Sequence, residues 1–208
     1  MSKREKLSRD GIVQAAIALI EEEGEKAFTM RRLAGRLGVD PMAIYHHHKS
    51  KTALLDEMVQ WLIESCDIPH STDDWRQDIR NLCSSIRALA QKNPQLFGLY
   101  ELYENWVPAE YQIHEAFLAA LLRGGFSDEE AVWASRQLIA FVEAFAVDEV
   151  AGWMEPHDVE ELKTDLADGP FPAMNQLLDK FAVRQPNEEF EFCLDVLLHG
   201  FEAQKSGS

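Results

Sequence analysis

The sequence predicts an all-α protein in two parts, and three observations carry that expectation. Apolar residues recur at three- and four-residue spacing along most of the chain, and no segment alternates as a half-buried strand would. Ser, Thr and Asp stand where helices would begin, with Gly or Pro where they would end. Charge is divided unevenly. The 208 residues carry a net −16, yet residues 1–60 hold 10 Lys and Arg against 9 Asp and Glu, a net +1, while residues 61–208 hold 10 against 27, a net −17. The apolar fraction of 46% suffices for a core, and the charged fraction of 27% is ordinary for a globular protein.

The first helix is expected from about Ser8, its N-cap, to Glu23, with Gly24 as its stop; Ile12, Ala15, Ala16, Leu19 and Ile20 form one apolar stripe. A second helix starts at Thr29 as N-cap and ends before Gly38, burying Leu33, Ala34 and Leu37. Asp40 caps a short third helix, about Pro41 to His47, whose first position tolerates proline because its missing N–H has no helical partner anyway. Ser50 caps a fourth, with Leu54, Leu55, Met58 and Leu62, running to about Ser65. Residues 67–74 form a polar break. These features divide the chain into a domain of residues 1–65 and a second of residues 66–208.

In the second part, a long helix is expected from Asp74 to Lys92, stopped by Asn93-Pro94. The aromatic stretch Leu96 to Trp106 reads as helix and turn, and Ala109 to Leu122 as a helix closed by Gly124-Gly125. Ser127 and Glu130 have the spacing of a capping box, opening a long helix 128–153. Residues 155–172 read as acidic loop with at most a short helix, 171–183 as a short helix, and 187–204 as the last helix.

Several function classes are excluded. No apolar run approaches the ~20 residues needed to cross a bilayer. Ile12 to Ile20 is broken by Gln14 and followed by acidic residues, so it reads as an amphipathic helix and not a secretory signal. Cys66, Cys83 and Cys193 lie far apart, as free thiols in a reducing compartment do, which places the protein in the cytoplasm. Cys83, Ser84 and Ser85 have no base at motif spacing, and no Glu-x-x-His pair suggests a bundle enzyme, so the chain is not expected to be an enzyme or to carry a cofactor. His46, His47 and His48 are consecutive, so on a helix they point in different directions; they read as phosphate and water contacts, with no metal site.

Thr29 to Lys51 is the informative segment. Two short helices about a Gly-containing turn form a helix-turn-helix pattern, whose second helix fits a major groove. That helix lacks acidic residues beyond its cap. Pro41, Met42 and Ala43 suit thymine methyls and sugar edges, while Tyr45 and His47 can donate to phosphate oxygens. Lys49 and Lys51 follow near the next helix N-terminus, where free N–H groups favour phosphate. Glu21, Glu22, Glu23 and Glu25 gather at one helix end, leaving Arg31, Arg32, Arg36, Lys49 and Lys51 as a basic face.

The first 65 residues resemble the DNA-binding domain of the tetracycline-repressor (TetR) family, through Gly24, Thr29-Met30-Arg31-Arg32-Leu33-Ala34, Leu37-Gly38-Val39, Ile44-Tyr45-His46-His47 and Lys49-Ser50-Lys51-Thr52-Ala53-Leu54-Leu55. The resemblance implies a ligand-responsive repressor of double-stranded operator DNA. It implies guanine reading by Arg31, base-edge contacts from Pro41, Met42 and Ala43, and phosphate contacts from Tyr45, His47 and Lys51; Thr29, His46 and Lys49 complete the expected DNA-binding set. Pro41-Met42-Ala43 departs from the Gln-Pro-Thr of the tetracycline-responsive members, so the operator should differ.

More weakly, Gly125-Phe126-Ser127 and the run Phe190 to Glu202 resemble that family's C-terminal domain, which implies a homodimer through helices 128–153 and 187–204. Val132, Trp133, Leu138, Ile139, Phe141, Val142, Phe145 and Val147 nearly encircle the long helix, so one face would meet its own core and another a second chain. The architecture expected is an N-terminal three-helix helix-turn-helix domain plus a C-terminal helical ligand-binding and dimerisation domain. The inducer is expected to be a small, largely apolar or aromatic molecule held by Phe97, Tyr100, Tyr103, Trp106, Ile113, Phe117, Phe141, Phe145 and Asp148, with Glu143 unusual if buried. Family members that bind tetracycline with magnesium use a His from the sixth helix. Tyr100 to Trp106 holds none, so tetracycline is not the expected inducer.

Overall fold

Local hydrogen bonds at the helix ends set the elements of the computed structural model, which describes residues 7–103, 105–153, 158–166 and 169–205. The Ser8 hydroxyl accepts from Gly11 N at 3.1 Å and opens α1 (Arg9–Glu23). Gly24 ends it at φ +79°, a conformation that side chains rarely adopt. After a 3₁₀ turn at Glu25–Ala27, Thr29 accepts from Arg32 N and caps α2 (Met30–Leu37). Gly38 at φ +65° turns the chain into α3 (Pro41–Tyr45), capped by Asp40 on Met42 N at 2.8 Å. Ser50 then caps α4 (Lys51–Glu64). These four pack around Ile12, Ile20, Leu33, Ile44, Leu54 and Met58, all fully buried.

The remaining helices are α5 (Trp75–Lys92), α6 (Pro94–Glu101), α7 (Glu110–Arg123), α8 (Asp128–Val150), α9 (Val159–Leu166), α10 (Pro172–Phe181) and α11 (Pro186–Gln204). The protein is all-helical, with no strand among the described residues, and none of its described helices is long and apolar enough to cross a membrane. The capping box at Ser127 and Glu130 is present, with both reciprocal bonds made. Helices α5, α6, α7 and α8 pack on one another, and α6 also meets α1 and α4. A second core is built there from Ile79, Cys83, Leu96, Phe97, Phe117, Leu138 and Val142.

Three expectations about elements change. The third helix ends at Tyr45 and not His47, because His47 N and His48 N both turn back to Ile44 O, leaving His46 as the cap and His47 in the turn. Pro94 ends α5 but also occupies the first position of α6, so helix resumes before Leu96. The acidic segment after 155 contains α9, which has no buried residue and packs on α10; residues 154–157 of the expected loop lie outside the described residues.

One polar cluster fastens three helices of the second part. Arg87 of α5 donates Nε and Nη2 to Glu149 of α8 at 2.7 and 2.6 Å, and Nη2 to Asn187 of α11 at 2.8 Å. Its guanidinium lies 4.8 Å from the Phe190 ring centroid. The Arg87 hydrogen bond holds the Glu149 carboxyl below its usual range against the opposing effect of burial. Removing one partner of a largely enclosed pair leaves the other uncompensated, so Arg87→Ala should lose about 3 kcal/mol in urea unfolding at pH 7. A carboxyl with a lowered native pKa adds stability above its unfolded value and loses it as pH falls. The gap between the two proteins should therefore narrow in acid.

Candidate functional site

The reading surface is built on α2 and α3. Met42 is 61% exposed and Tyr45 39%, with Ile44 between them anchored in the core. His46 is exposed, while Pro41, Ala43 and His47 are half-buried beside them. A short helix thus sits on one buried residue and offers its other faces outward. Thr29 is exposed but its hydroxyl is committed to capping α2. Arg31 and Lys49 are exposed and make no ion pair with a described residue. Lys51 is exposed, its ammonium 4.9 Å from the Phe28 ring centroid.

Two features of the expected basic face are corrected. Arg32 pairs with Glu23, and Arg36 with Glu22 at 2.6 and 2.7 Å. The acidic end of α1 lies against α2 and takes up these two cations, which leaves Arg31, Lys49 and Lys51. His48 is also not a surface group: it is 1% exposed. Consecutive residues of one turn diverge, and sequence spacing did not show which of the three histidines would turn inward.

The expected ligand residues fall in three places. Phe97 and Phe117 are fully buried, and Ile113 of α7 is nearly so. Tyr100 packs edge-on against Phe97, centroids 5.7 Å apart, and donates its hydroxyl to Glu143 Oε1 of α8 at 3.1 Å. Tyr103 donates to Asp56 of α4 and accepts from Asn105 Nδ2 at 3.1 Å. Trp106 lies outside this group. It is 59% exposed, stacks on His114 at 4.9 Å, and borders an open groove of about 700 Å³ between α4 and residues 105–108. Phe141 and Phe145 do not join Tyr100 either. Both pack on Phe190 of α11, at 5.5 and 5.2 Å, because 141 and 145 share a stripe of α8 that faces away from 143. Helical spacing puts half-buried Asp148 on that same stripe.

Glu143 is the unusual group of the interior. Burial, then the charge of Glu101, push its carboxyl up to about 7, against the opposing Tyr100 hydrogen bond; Glu110 adds to the rise. Glu110 is itself buried, accepting from Val107 N at 3.3 Å, and burial raises its carboxyl as well. Glu101, Glu110 and His114 were missed by sequence reasoning. Their spacing on solvated-looking helix faces carries no signal until α6, α7 and α8 are packed.

Hydrogen bonds join the interior to the reading surface. Glu21 of α1 accepts from Gln95 N and Leu96 N, at 3.3 and 2.9 Å, in the first turn of α6, where a carboxylate meets free N–H groups and the positive helix end. Gln60 of α4 accepts from Ala109 N at 3.2 Å, just before α7.

This arrangement, a helix-turn-helix presented outward and wired to a separate helical body, defines a two-part DNA-binding regulator and not an enzyme. Residues 12–58 match the family of bacterial regulatory proteins called tetR, and residues 68–205 match the tetracyclin repressor-like C-terminal domain. The chain belongs to the TetR family of transcriptional regulators. It is 28% identical over 207 residues to the class C tetracycline repressor protein of Escherichia coli, covering 96% of this chain and 93% of that one. The crystal structure of a possible TetR family regulator from Streptomyces coelicolor A3(2) superposes with a TM-score of 0.83 at 25% identity, covering 95% of this chain and all of that one. A TetR variant from Acinetobacter baumannii AYE, solved with minocycline, superposes with a TM-score of 0.70 at 25% identity, covering 97% of this chain and all of that one.

The raised Glu143 carboxyl has a measurable consequence. Between its unfolded value of 4.5 and about 7 the native state binds more protons than the unfolded state, so stability falls as pH rises through that window. Glu143→Gln should therefore exceed the wild type by about 1–3 kcal/mol in chemical denaturation at pH 8, and should show no such gain at pH 4.

Proposed function

We propose that this chain is a ligand-responsive repressor that binds operator DNA as a homodimer and releases it when a small molecule enters the helical body. The observation that carries the reading is α3 itself, seated on Ile44 with Met42, Tyr45 and His46 outward, beside the uncommitted cations Arg31 and Lys49. Residues 1–65 form the reading domain. Within it, Arg31, Pro41, Met42 and Ala43 meet base edges. Thr29, Tyr45, His46, His47, Lys49 and Lys51 meet the backbone, where phosphate contacts position and base contacts specify. Residues 66–208 form the sensing and pairing domain.

Pairing is supported by the surface that α8 and α11 leave open. Trp133 is 59% exposed, Phe192 69% and Val196 55%, and an apolar groove of about 480 Å³ runs between Phe141 and Ala140 on one helix and Phe192, Val196 and Leu197 on the other. Contiguous exposed apolar surface of this kind marks an interaction site. A second copy brings an identical pair of helices and closes a four-helix bundle by two-fold symmetry. It also doubles α3, which two half-sites about 34–36 Å apart require.

The inducer enters the aromatic interior around Phe97, Tyr100, Tyr103, Ile113 and Phe117; Trp106 stands at the rim, and Phe141, Phe145 and Asp148 act from the pairing side. Minocycline in the A. baumannii relative supports a small molecule at this level. In this chain Tyr100 and Tyr103 furnish the polar groups. A ligand that separates Tyr100 from Glu143, or Tyr103 from Asp56, moves α6 against α1 and α4. Its differential affinity, typically ~1–3 kcal/mol, is what weakens DNA binding.

Enrichment of duplexes from a randomised pool tests the reading. A common sequence should emerge, with affinity that falls steeply between two salt concentrations; no enriched sequence and no salt-dependent binding would sink it. On the enriched duplex, Arg31→Ala should cost about 1–3 kcal/mol and relax base preference at one position. Lys51→Ala should weaken all sequences alike and lower the salt slope by about 1. Val196→Glu, which alters an exposed side chain, should sediment as a single chain and lose most operator affinity while keeping its helical signal in circular dichroism.

A further inference from the structure

His48 is the one strongly buried ionisable side chain of the reading domain, and neither DNA contact nor the core accounts for it. It sits in the turn between α3 and α4. Its side chain is fully enclosed, and neither ring nitrogen makes a hydrogen bond. Its backbone N–H goes to Ile44 O at 2.9 Å, which ties it to the anchor of α3. The carboxylate of Glu57 in α4 lies 3.4 Å from Nδ1, too long and misdirected for a good hydrogen bond. Glu57 is gripped from the other side by Arg9 of α1, whose Nε lies 2.8 and 2.9 Å from the two carboxylate oxygens. An enclosed polar ring without a partner is costly, and an apolar side chain of similar volume would fill the space without that cost. Stability therefore does not call for an imidazole here.

We propose that His48 is a positioning residue for DNA reading, acting through Glu57, so that its charge sets how firmly the α3–α4 turn is held against α4 and α1. The inference rests on the DNA-reading function proposed above. An imidazolium beside Glu57 forms a charge-assisted hydrogen bond, shorter and stronger than the contact of a neutral ring. It draws in the turn that carries Lys49 and the cap of α4. The neutral ring leaves that turn held by its backbone alone. Imidazole is the side chain whose charge ordinarily changes between pH 5 and 8.

The charged surroundings of the pair can be named. From α4 it is Glu57. From α1 it is Arg9, with Asp10 acting on Arg9. The turn itself adds half-buried His47 and exposed Lys49, and the end of α3 adds exposed Tyr45 and His46. Glu57 is held below the usual carboxylate range chiefly by Arg9, with His48 contributing. It is therefore a standing anion for the imidazole to answer. Affinity should be highest with His48 charged and should fall as pH rises. His46 and His47 near phosphate act in the same direction, so only variants of the pair separate the two sources.

The test uses the full chain and the duplex that the wild type enriches from a randomised pool, with dissociation constants from fluorescence anisotropy between pH 5.5 and 8.5 at fixed ionic strength. Wild-type affinity should fall about tenfold across that range, the equivalent of one unit of linked pKa change. In His48→Phe and in Glu57→Gln the fall should shrink to about two- or threefold, and the double variant should change no further, as expected for two groups acting as one. His48→Gln keeps a donor toward Glu57 without a titrating charge. It should bind tightly at both ends of the range, a rescue that a merely space-filling role would not produce. Melting curves confirm that each variant is folded, and His48→Gln with Glu57→Gln carries the test if His48→Phe does not fold. A wild type that enriches no duplex overturns the DNA reading and this inference together. An enriched duplex with coincident pH profiles in the wild type, Glu57→Gln and His48→Gln overturns this inference alone.

Discussion

The rest of the structure depends on how α6 is held. This helix of eight residues touches the reading domain through α1 and α4 and the helical body through α8. Its first turn is capped by a carboxylate from outside, Glu21 on Leu96 N. Its last turn sends the Tyr100 hydroxyl to Glu143. Just beyond it, Tyr103 reaches Asp56. Polar bonds at both ends, rather than a continuous apolar seam, join the two halves. Polar bonds break and re-form in discrete steps, which suits a junction whose geometry has two settings. A ligand among α6, α7 and α8 acts on the same atoms that fix α1 and α4.

A strongly acidic chain can still offer a DNA surface because its charges are partitioned twice. The first partition is along the sequence, with nearly all of the excess acid beyond residue 60. The second is within the reading domain, where Glu22 and Glu23 are spent on Arg36 and Arg32, and Glu57 on Arg9. Neutralised pairs keep carboxylates from repelling phosphate across the groove, and the cations left exposed stand beside α3. Surface ion pairs of this kind add little stability, typically ~0–1 kcal/mol. Their effect here is on the electrostatic profile of one face.

Helix α8 explains why an almost uniformly apolar sequence was needed in a protein of this size. Leu138, Val142 and Ala146 close the core of the chain itself. Phe141 and Phe145 stack on Phe190, with Arg87 laid across two of those rings. Trp133 remains outside with the open edge of α11. One helix thus serves three neighbours, and only the third is missing from a single chain. The Arg87 cluster ties α5, α8 and α11 together, so the spacing of the surface proposed for pairing is set by a bond inside the protomer.

The amino-acid order by itself determined the helices, their caps and the helix-turn-helix. These rest on contacts between residues three or four apart: Ser8 on Gly11 N, Thr29 on Arg32 N, Ser127 with Glu130, and the left-handed turn that only Gly38 takes easily. Periodicity also marked α8 as apolar on too many sides for one core. What only the tertiary structure decided is which members of a regular pattern turn inward. His48 and His47 are neighbours of one type, yet the turn buries the first and leaves the second partly open. Phe141 and Glu143 lie two residues apart and face different partners. Arg31 and Arg32 are adjacent, and only Arg32 meets a carboxylate. The physical reason is one of range. Capping and helix propensity act within a turn of chain, whereas burial, ion pairing and the elevation of Glu143 arise between groups separated by tens of residues, and exist only once those helices have packed.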